Sequence, residues 1–301
     1  MKVIDFKSAV FCALILLGSS SGAAALEKCY TTKLRSWPQF EYCLKDLGAN
    51  SGPKDIIYFW HGVGGGANNI FSVIHPQSDM YDVVISRGID KAPLFVGMSF
   101  GSQAIVPLEI SAANSVSLKE LTEELFPEIE KRFGYDLSRQ PLARHMMGLS
   151  LGGFNALNTV AMEPGKFSSL VALCRALLTF NPFSRDEFKA YLERHKGIIK
   201  RTKAEYMIYM LKEKFKNYPT WMGRNPLEHL KNGKYQNIPV YLSTGLQDEY
   251  GFMEGAAAFA QSASGKVGDG SIFAPIDGDH CFFDAEALKR FLSGQLQSWQ
   301  E

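Results

Sequence analysis

Residues 148–152 read Gly-Leu-Ser-Leu-Gly, between an apolar run at 145–149 and a helix-like run that continues through Gly153-Phe154-Asn155-Ala156-Leu157. A serine with glycine on both sides, set between strand and helix, needs a turn tight enough that larger flanking residues would clash. Such a turn lifts the Ser150 hydroxyl above the carboxyl edge of a sheet. It also puts the backbone N–H of Leu151 at a helix start, where a developing negative charge is stabilised. The pentapeptide is a weak signal by itself. The strand before it and the helix after it carry the reading.

The remaining pattern supplies the sheet. Apolar, β-prone runs occupy 56–60, 93–98, 169–174, 238–242 and 271–276. Leu118, Leu121, Leu125, Ile129 and Phe133 recur at helical spacing, and further helical patterns fall near 252–264 and 283–298. Alternation of this kind predicts an α/β fold, with a mostly parallel central sheet covered by helices on both faces. Its 301 residues suffice for one sizeable core, and 46% hydrophobic with 21% charged residues is ordinary globular usage.

Residues 181–235 interrupt the rhythm. They carry no strand signal, look helical, and hold 13 Lys and Arg against 6 Asp and Glu. Strand-like segments resume afterwards, so this is an insertion in a single domain spanning 26–301. It reads either as a solvated helical face or as a lid over a cleft favouring anionic or surface-bound substrates. Its aromatic residues Phe183, Phe188, Tyr191, Tyr206, Tyr209, Tyr218 and Trp221 could line an acyl or aryl pocket, or form the insertion's own core.

The first 25 residues have the order of a secretory signal peptide. Lys2 and Lys7 precede an apolar run from Ala9 to Leu17, and Ala23-Ala24-Ala25 offers a cleavage site. Cleavage near Ala25 implies a secreted or periplasmic protein with no stable membrane span; the alternative is an uncleaved anchor. Loss of Cys12 would leave Cys29, Cys43, Cys174 and Cys281, an even number that permits two disulfides. Cys29 and Cys43 could staple an N-terminal hairpin. Cys174 and Cys281 could pair or remain two inert thiols. A formal net charge of +1 gives no reason to expect a nucleic-acid partner.

Three further segments fall in an informative order. His61-Gly62-Val63-Gly64-Gly65-Gly66 follows the first strand-like run, where a glycine-rich turn can offer the N–H of Val63, with Gly64 the next candidate, to the same negative charge as Leu151. Gly245-Leu246-Gln247-Asp248-Glu249 follows the run at 238–242, and Gly278-Asp279-His280 follows the run at 271–276. Ser150, Asp248 and His280 then stand in the chain order nucleophile, acid, base. Glu249 is the reserve acid. Asp277 and Asp279 sit too near His280 along the chain, and Asp284 reads as a helix N-cap. His61 buttresses the glycine turn, while His75, His145, His195 and His229 have no acid at a nearby strand end.

On these residues the chain resembles the putative esterase branch of the α/β-hydrolases, which includes esterase D, feruloyl esterases and mycolyltransferases. The resemblance covers roughly 52–298 by motif order. It implies an α/β-hydrolase fold and a serine esterase with Ser150, Asp248 and His280 as triad and Val63 and Leu151 as oxyanion donors. It further implies a small-molecule, glycan or lipid ester substrate, with neither metal nor organic cofactor. The large basic insertion departs from the family pattern, so substrate and oligomeric state do not transfer. An acyltransferase to a sugar or alcohol, a serine peptidase, and a non-catalytic binding protein on the same fold are the rivals. A dinucleotide reading of Gly62–Ala67 with Asp82 fails, because Asp82 precedes the run at 83–86 instead of ending it.

Overall fold

The structure is a computed structural model that describes residues 26–34, 37–46, 55–71, 78–88, 91–99, 101, 118–132 and 143–300. The signal-peptide expectation at 1–25 and the reading of His75 lie outside these residues. Eight strands form one sheet in the order β1-β2-β4-β3-β5-β6-β7-β8. They are β1 (Leu26–Leu34), β2 (Trp37–Asp46), β3 (Ile56–Trp60), β4 (Leu94–Ser99), β5 (Arg144–Leu149), β6 (Ser169–Leu173), β7 (Val240–Gly245) and β8 (Ile272–Ile276). β1, β2 and β4 pair antiparallel; every pairing from β4 through β3 to β8 is parallel. The expected α/β architecture is therefore present.

The central strands are apolar on both sides because both sides are covered. All of Ile56–Trp60 is buried. Tyr58, Leu157, Val160 and Phe126 pack on one face of the sheet, with Phe59, Tyr241, Leu288 and Phe291 on the other. The covering helices include α1 (Ser78–Ile85), α2 (Phe126–Arg132), α3 (Leu151–Met162), α8 (Phe252–Ser262) and α9 (Ala285–Gln295). Asp284 caps α9 as expected, its Oδ1 accepting the Ala287 N–H at 2.9 Å. A π-helical stretch, Glu120–Leu125, precedes α2. Asp82 lies inside α1 together with Val83–Ile85, and Ser86 is in the turn that follows, which removes the strand that a dinucleotide fold requires there.

The insertion is helical: α4 (Arg185–Arg194), α5 (Arg201–Phe215), α6 (Tyr218–Met222) and α7 (Pro226–Lys231). Its inner side meets α3, with Phe154 stacked on Trp221 at 5.8 Å between centroids. Tyr191 and Trp221 are buried in that cluster, while Tyr206, Tyr209 and Tyr218 are exposed. The insertion's aromatics thus divide between its own core and solvent.

Both disulfides form. Cys29 and Cys43 face each other across β1 and β2 with Cα atoms 4.0 Å apart. Cys174 and Cys281 join the end of β6 to the loop after β8, 107 residues apart in sequence. No helix among the described residues is long and apolar enough to cross a membrane.

Candidate active site

Strand order reverses between β3 and β5, since the chain passes from β3 to β4 on one side and then to β5 on the other. Crevices of open α/β sheets form at the carboxyl ends of such strands. The turn after β3 and the turn after β5 meet there. Ser150 occupies the second turn at φ 56° and ψ −118°, outside the regions favoured by L-residues. Its N–H donates to Leu173 O at 2.9 Å, and its carbonyl accepts the Phe154 N–H at 3.2 Å, so neighbours on both sides fix the conformation. The flanking glycines are required by contact. A Cβ on Gly148 would lie 2.1 Å from Gly152 O, and one on Gly152 would lie 2.0 Å from Trp60 O.

The loop after β8 brings His280 over this turn. His280 Nε2 lies 2.9 Å from Ser150 Oγ, and Nδ1 lies 2.9 Å from Asp248 Oδ2. Asp248, in the loop after β7, is fully buried, and its Oδ1 accepts the Tyr250 N–H at 2.8 Å. With Nδ1 donating to the carboxylate, Nε2 is the ring nitrogen left to accept the serine proton. The two loops are clipped together: Gln247 Nε2 donates to Asp277 Oδ1 and Gln247 Oε1 accepts the Gly278 N–H, both at 2.6 Å. Tyr250 and Phe252 flank the imidazole, with centroids 4.4 and 5.7 Å from it. The Cys174–Cys281 bond anchors the residue next to His280.

The turn after β3 passes directly against Ser150. A Cβ on Gly62 would sit 3.3 Å from both Leu149 O and Ser150 Cβ. The N–H of Val63 meets no acceptor among the described residues. Leu151 is the first residue of α3, so its N–H has no intrahelical partner. His61 supports the turn from behind: Nδ1 is 2.6 Å from Gly62 O and Nε2 2.8 Å from Ser99 Oγ. The carbonyl can only accept, so Nδ1 carries the proton.

The other titratable groups lie elsewhere. His145 Nδ1 meets Ser169 Oγ at 2.8 Å, with Asp55 at 3.6 Å from Nε2. His229 contacts Asn158 Oδ1 at 3.2 Å, and burial, assisted by Arg224 and Lys234, lowers its pKa to about 4. His195 does have an acid, Glu254 of α8, at 2.5 Å. That partner is 59 residues away in sequence and lies on a helix, so it is not an acid at a strand end. Glu249 is held by Lys200 and Lys203 of the insertion. Among the described residues, Cys174, His280 and Cys281 present ligand-type atoms within 4.8 Å of one another, but the two sulfurs are joined and offer no thiolate.

Three features escaped sequence reasoning. Arg175, directly after Cys174, is buried and donates from Nη1 to Ser243 O at 3.0 Å. Burial lowers its pKa to about 9, against the opposing pull of the Asp248 carboxylate. The available signal was one cation inside the apolar stretch Leu170–Leu178. Tyr250 shields His280, with Lys203 Nζ 5.0 Å from the Tyr250 ring centroid. The insertion grips the acid-bearing loop: Lys200 N–H donates to Glu249 O at 2.9 Å, and Tyr191 Oη donates to Gly251 O.

A strand-edge serine elbow on a mostly parallel, helix-covered sheet is the α/β-hydrolase class. Residues 46–270 match the family described as "Putative esterase", and the chain belongs to that family of carboxylic ester hydrolases. Solved structures share the fold at low sequence identity. A ferulic acid esterase aligns with TM-score 0.59 and 15% identity, over 90% of this chain and 96% of its own. An S-formylglutathione hydrolase from Agrobacterium tumefaciens gives 0.57 and 12%, over 92% and 94%. FphF, a fluorophosphonate-binding serine hydrolase of Staphylococcus aureus, gives 0.56 and 13%, over 90% and 98%. No curated protein sequence matches the chain.

Proposed function

We propose that the chain is an exported serine esterase that cleaves small-molecule carboxylic esters through an acyl-enzyme on Ser150. The observation that carries the reading is the unbroken path Ser150 Oγ–His280–Asp248, each step 2.9 Å. His280 Nε2 takes the serine proton as Oγ attacks the ester carbonyl, and Asp248 holds the tautomer and stabilises the imidazolium. The N–H groups of Val63 and Leu151 receive the oxyanion. The imidazolium returns its proton to the departing alcohol. Water then gives a proton to His280 and attacks the acyl carbon, releasing the acid and restoring Ser150. The Ser150–His280–Asp248 path is already formed without substrate, which limits the reorganisation that this chemistry would require.

Export is supported by the order of residues 1–25 and by two disulfides, a feature of oxidising compartments. N-terminal sequencing of secreted protein should begin at Leu26; an intact Met1 would contradict it. In this reading 26–301 is one domain, and the insertion acts on substrate choice and on the acid loop it grips.

The test is steady-state hydrolysis of p-nitrophenyl esters of increasing chain length, beside an aryl ester and a sugar acetate. Ser150→Ala should lower kcat by about 10⁶-fold. Activity within tenfold of wild type in that variant, with correct folding, sinks the proposal. Added sugar or alcohol acceptors separate hydrolysis from acyl transfer by product analysis.

A further inference from the structure

Between α8 and the end of the sheet at β7 and β8 lies a cavity of about 190 Å³. None of Ser150, Asp248, His280, Val63 or Leu151 lines it. Its walls are almost wholly apolar. Met253, Ala256 and Ala260 come from one side of α8, and Phe273 from β8. The space exists because α8 presents alanines at this contact, where larger residues would close it.

Two polar groups interrupt the apolar wall, and neither is fully satisfied. Arg175 and Thr244 both line the cavity. Arg175 is 2% exposed and Thr244 3%. Arg175 Nη1 is used by Ser243 O, but Arg175 Nε and Thr244 Oγ1 have no hydrogen-bond partner. An unpaired donor on a buried cation is costly. Asp248 acts on this guanidinium through space, without a hydrogen bond to it.

We propose that this cavity is a second binding site, taking a monocarboxylate whose apolar body is about the size of one ring. A planar guanidinium matches a carboxylate. One cation in an apolar enclosure favours a monoanion over a phosphate dianion, whose second charge would stay buried without a partner. Size agrees, since a cavity of about 150 Å³ already admits benzene. The bound anion would face the same guanidinium that faces Asp248, so the site touches the acid loop electrostatically while remaining outside the reaction centre. Binding itself does not need Ser150 to react; only the capping control rests on the proposed role of Ser150, and failure of Ser150 to label is read separately from failure of benzoate to bind.

The experiment is calorimetric titration of the mature chain, with Ser150 capped by a fluorophosphonate, using benzoate as probe. Benzamide serves as its uncharged counterpart. Saturable one-to-one binding of benzoate is expected, with benzamide weaker by about tenfold or more, as loss of a charge-assisted pair requires. Ala260→Leu, which fills the cavity without touching a charge, should abolish binding. Arg175→Met should do the same, and if that variant fails to fold, Ala260→Leu still decides. The proposal is overturned by absent saturable binding, by equal affinity for benzamide, or by binding that survives Ala260→Leu. Binding seen only before capping would place benzoate in the reaction cleft and also overturn it.

Discussion

The carboxyl edge of the sheet and the helical insertion were built by different means. At the edge, each group is set by its own short segment: a glycine-flanked turn for Ser150, and a loop leaving β7 or β8 for Asp248 and His280. The insertion works through contacts between distant parts of the chain. Lys200 and Lys203 seize Glu249, Tyr191 reaches Gly251, and His229 of α7 meets Asn158 of α3. The Ser150–His280–Asp248 constellation is thus encoded locally, while the hold on the loop after β7 is encoded in packing.

This contrast can be broken at several points. After Ser150→Ala, the largest expected effect also lies at the edge: Asp248→Asn should lower kcat by about 10⁴-fold with little change in KM, because the imidazole loses its correct tautomer. Stopped-flow ester hydrolysis reads it, and a loss under tenfold would remove Asp248 from its role.

Next come the disulfides. The Cys174–Cys281 bond closes 107 residues and borders His280, whereas Cys29–Cys43 closes 14 at the far edge of the sheet. Loop entropy values the first at about 4–5 kcal/mol and the second at about 3 kcal/mol. Urea denaturation should show both losses. Only the Cys174→Ala/Cys281→Ala pair should also depress kcat.

The joint between insertion and α3 gives an acid effect. His229 has a pKa near 4 in the folded chain against an ordinary 6.5, so the unfolded chain binds a proton that the folded one refuses. Stability is therefore unaffected above pH 6.5 and falls as pH drops, by about 3 kcal/mol at pH 4. His229→Gln should flatten that part of the stability–pH curve; an unchanged slope would place the acid sensitivity elsewhere. The smallest effect belongs to the clamp. Glu249→Gln should lower kcat several-fold by loosening the acid loop, while Glu205→Gln, which loses only a surface pair with Arg201, should leave kcat unchanged.

The legibility of the molecule follows the same division. Continuous apolar runs disclosed β3, β4, β5 and β6, because strands covered on both faces are mostly apolar. β7 was displaced: 238–242 was expected and Val240–Gly245 is observed. Ser243 and Thr244 look like the start of a loop, yet both are buried, and Ser243 Oγ donates to Ala274 O at 2.6 Å. The run at 83–86 lies in and just beyond a helix, since its β-branched residues meet α9 and the sheet through one face. The convergence of Ser150, Asp248 and His280 was legible from order along the chain. Arg175, Tyr250 and the Lys–Glu249 clamp were not, because their meaning arises only when loops far apart in sequence meet.

The most direct measurement is mass spectrometry of peptides from enzyme quenched during the pre-steady-state burst with p-nitrophenyl acetate. The account predicts one acetyl group on the peptide containing Ser150, absent from Ser150→Ala and accumulating in step with released p-nitrophenol. Turnover with no acylated peptide, or acetyl on another residue that keeps pace with product, would contradict it.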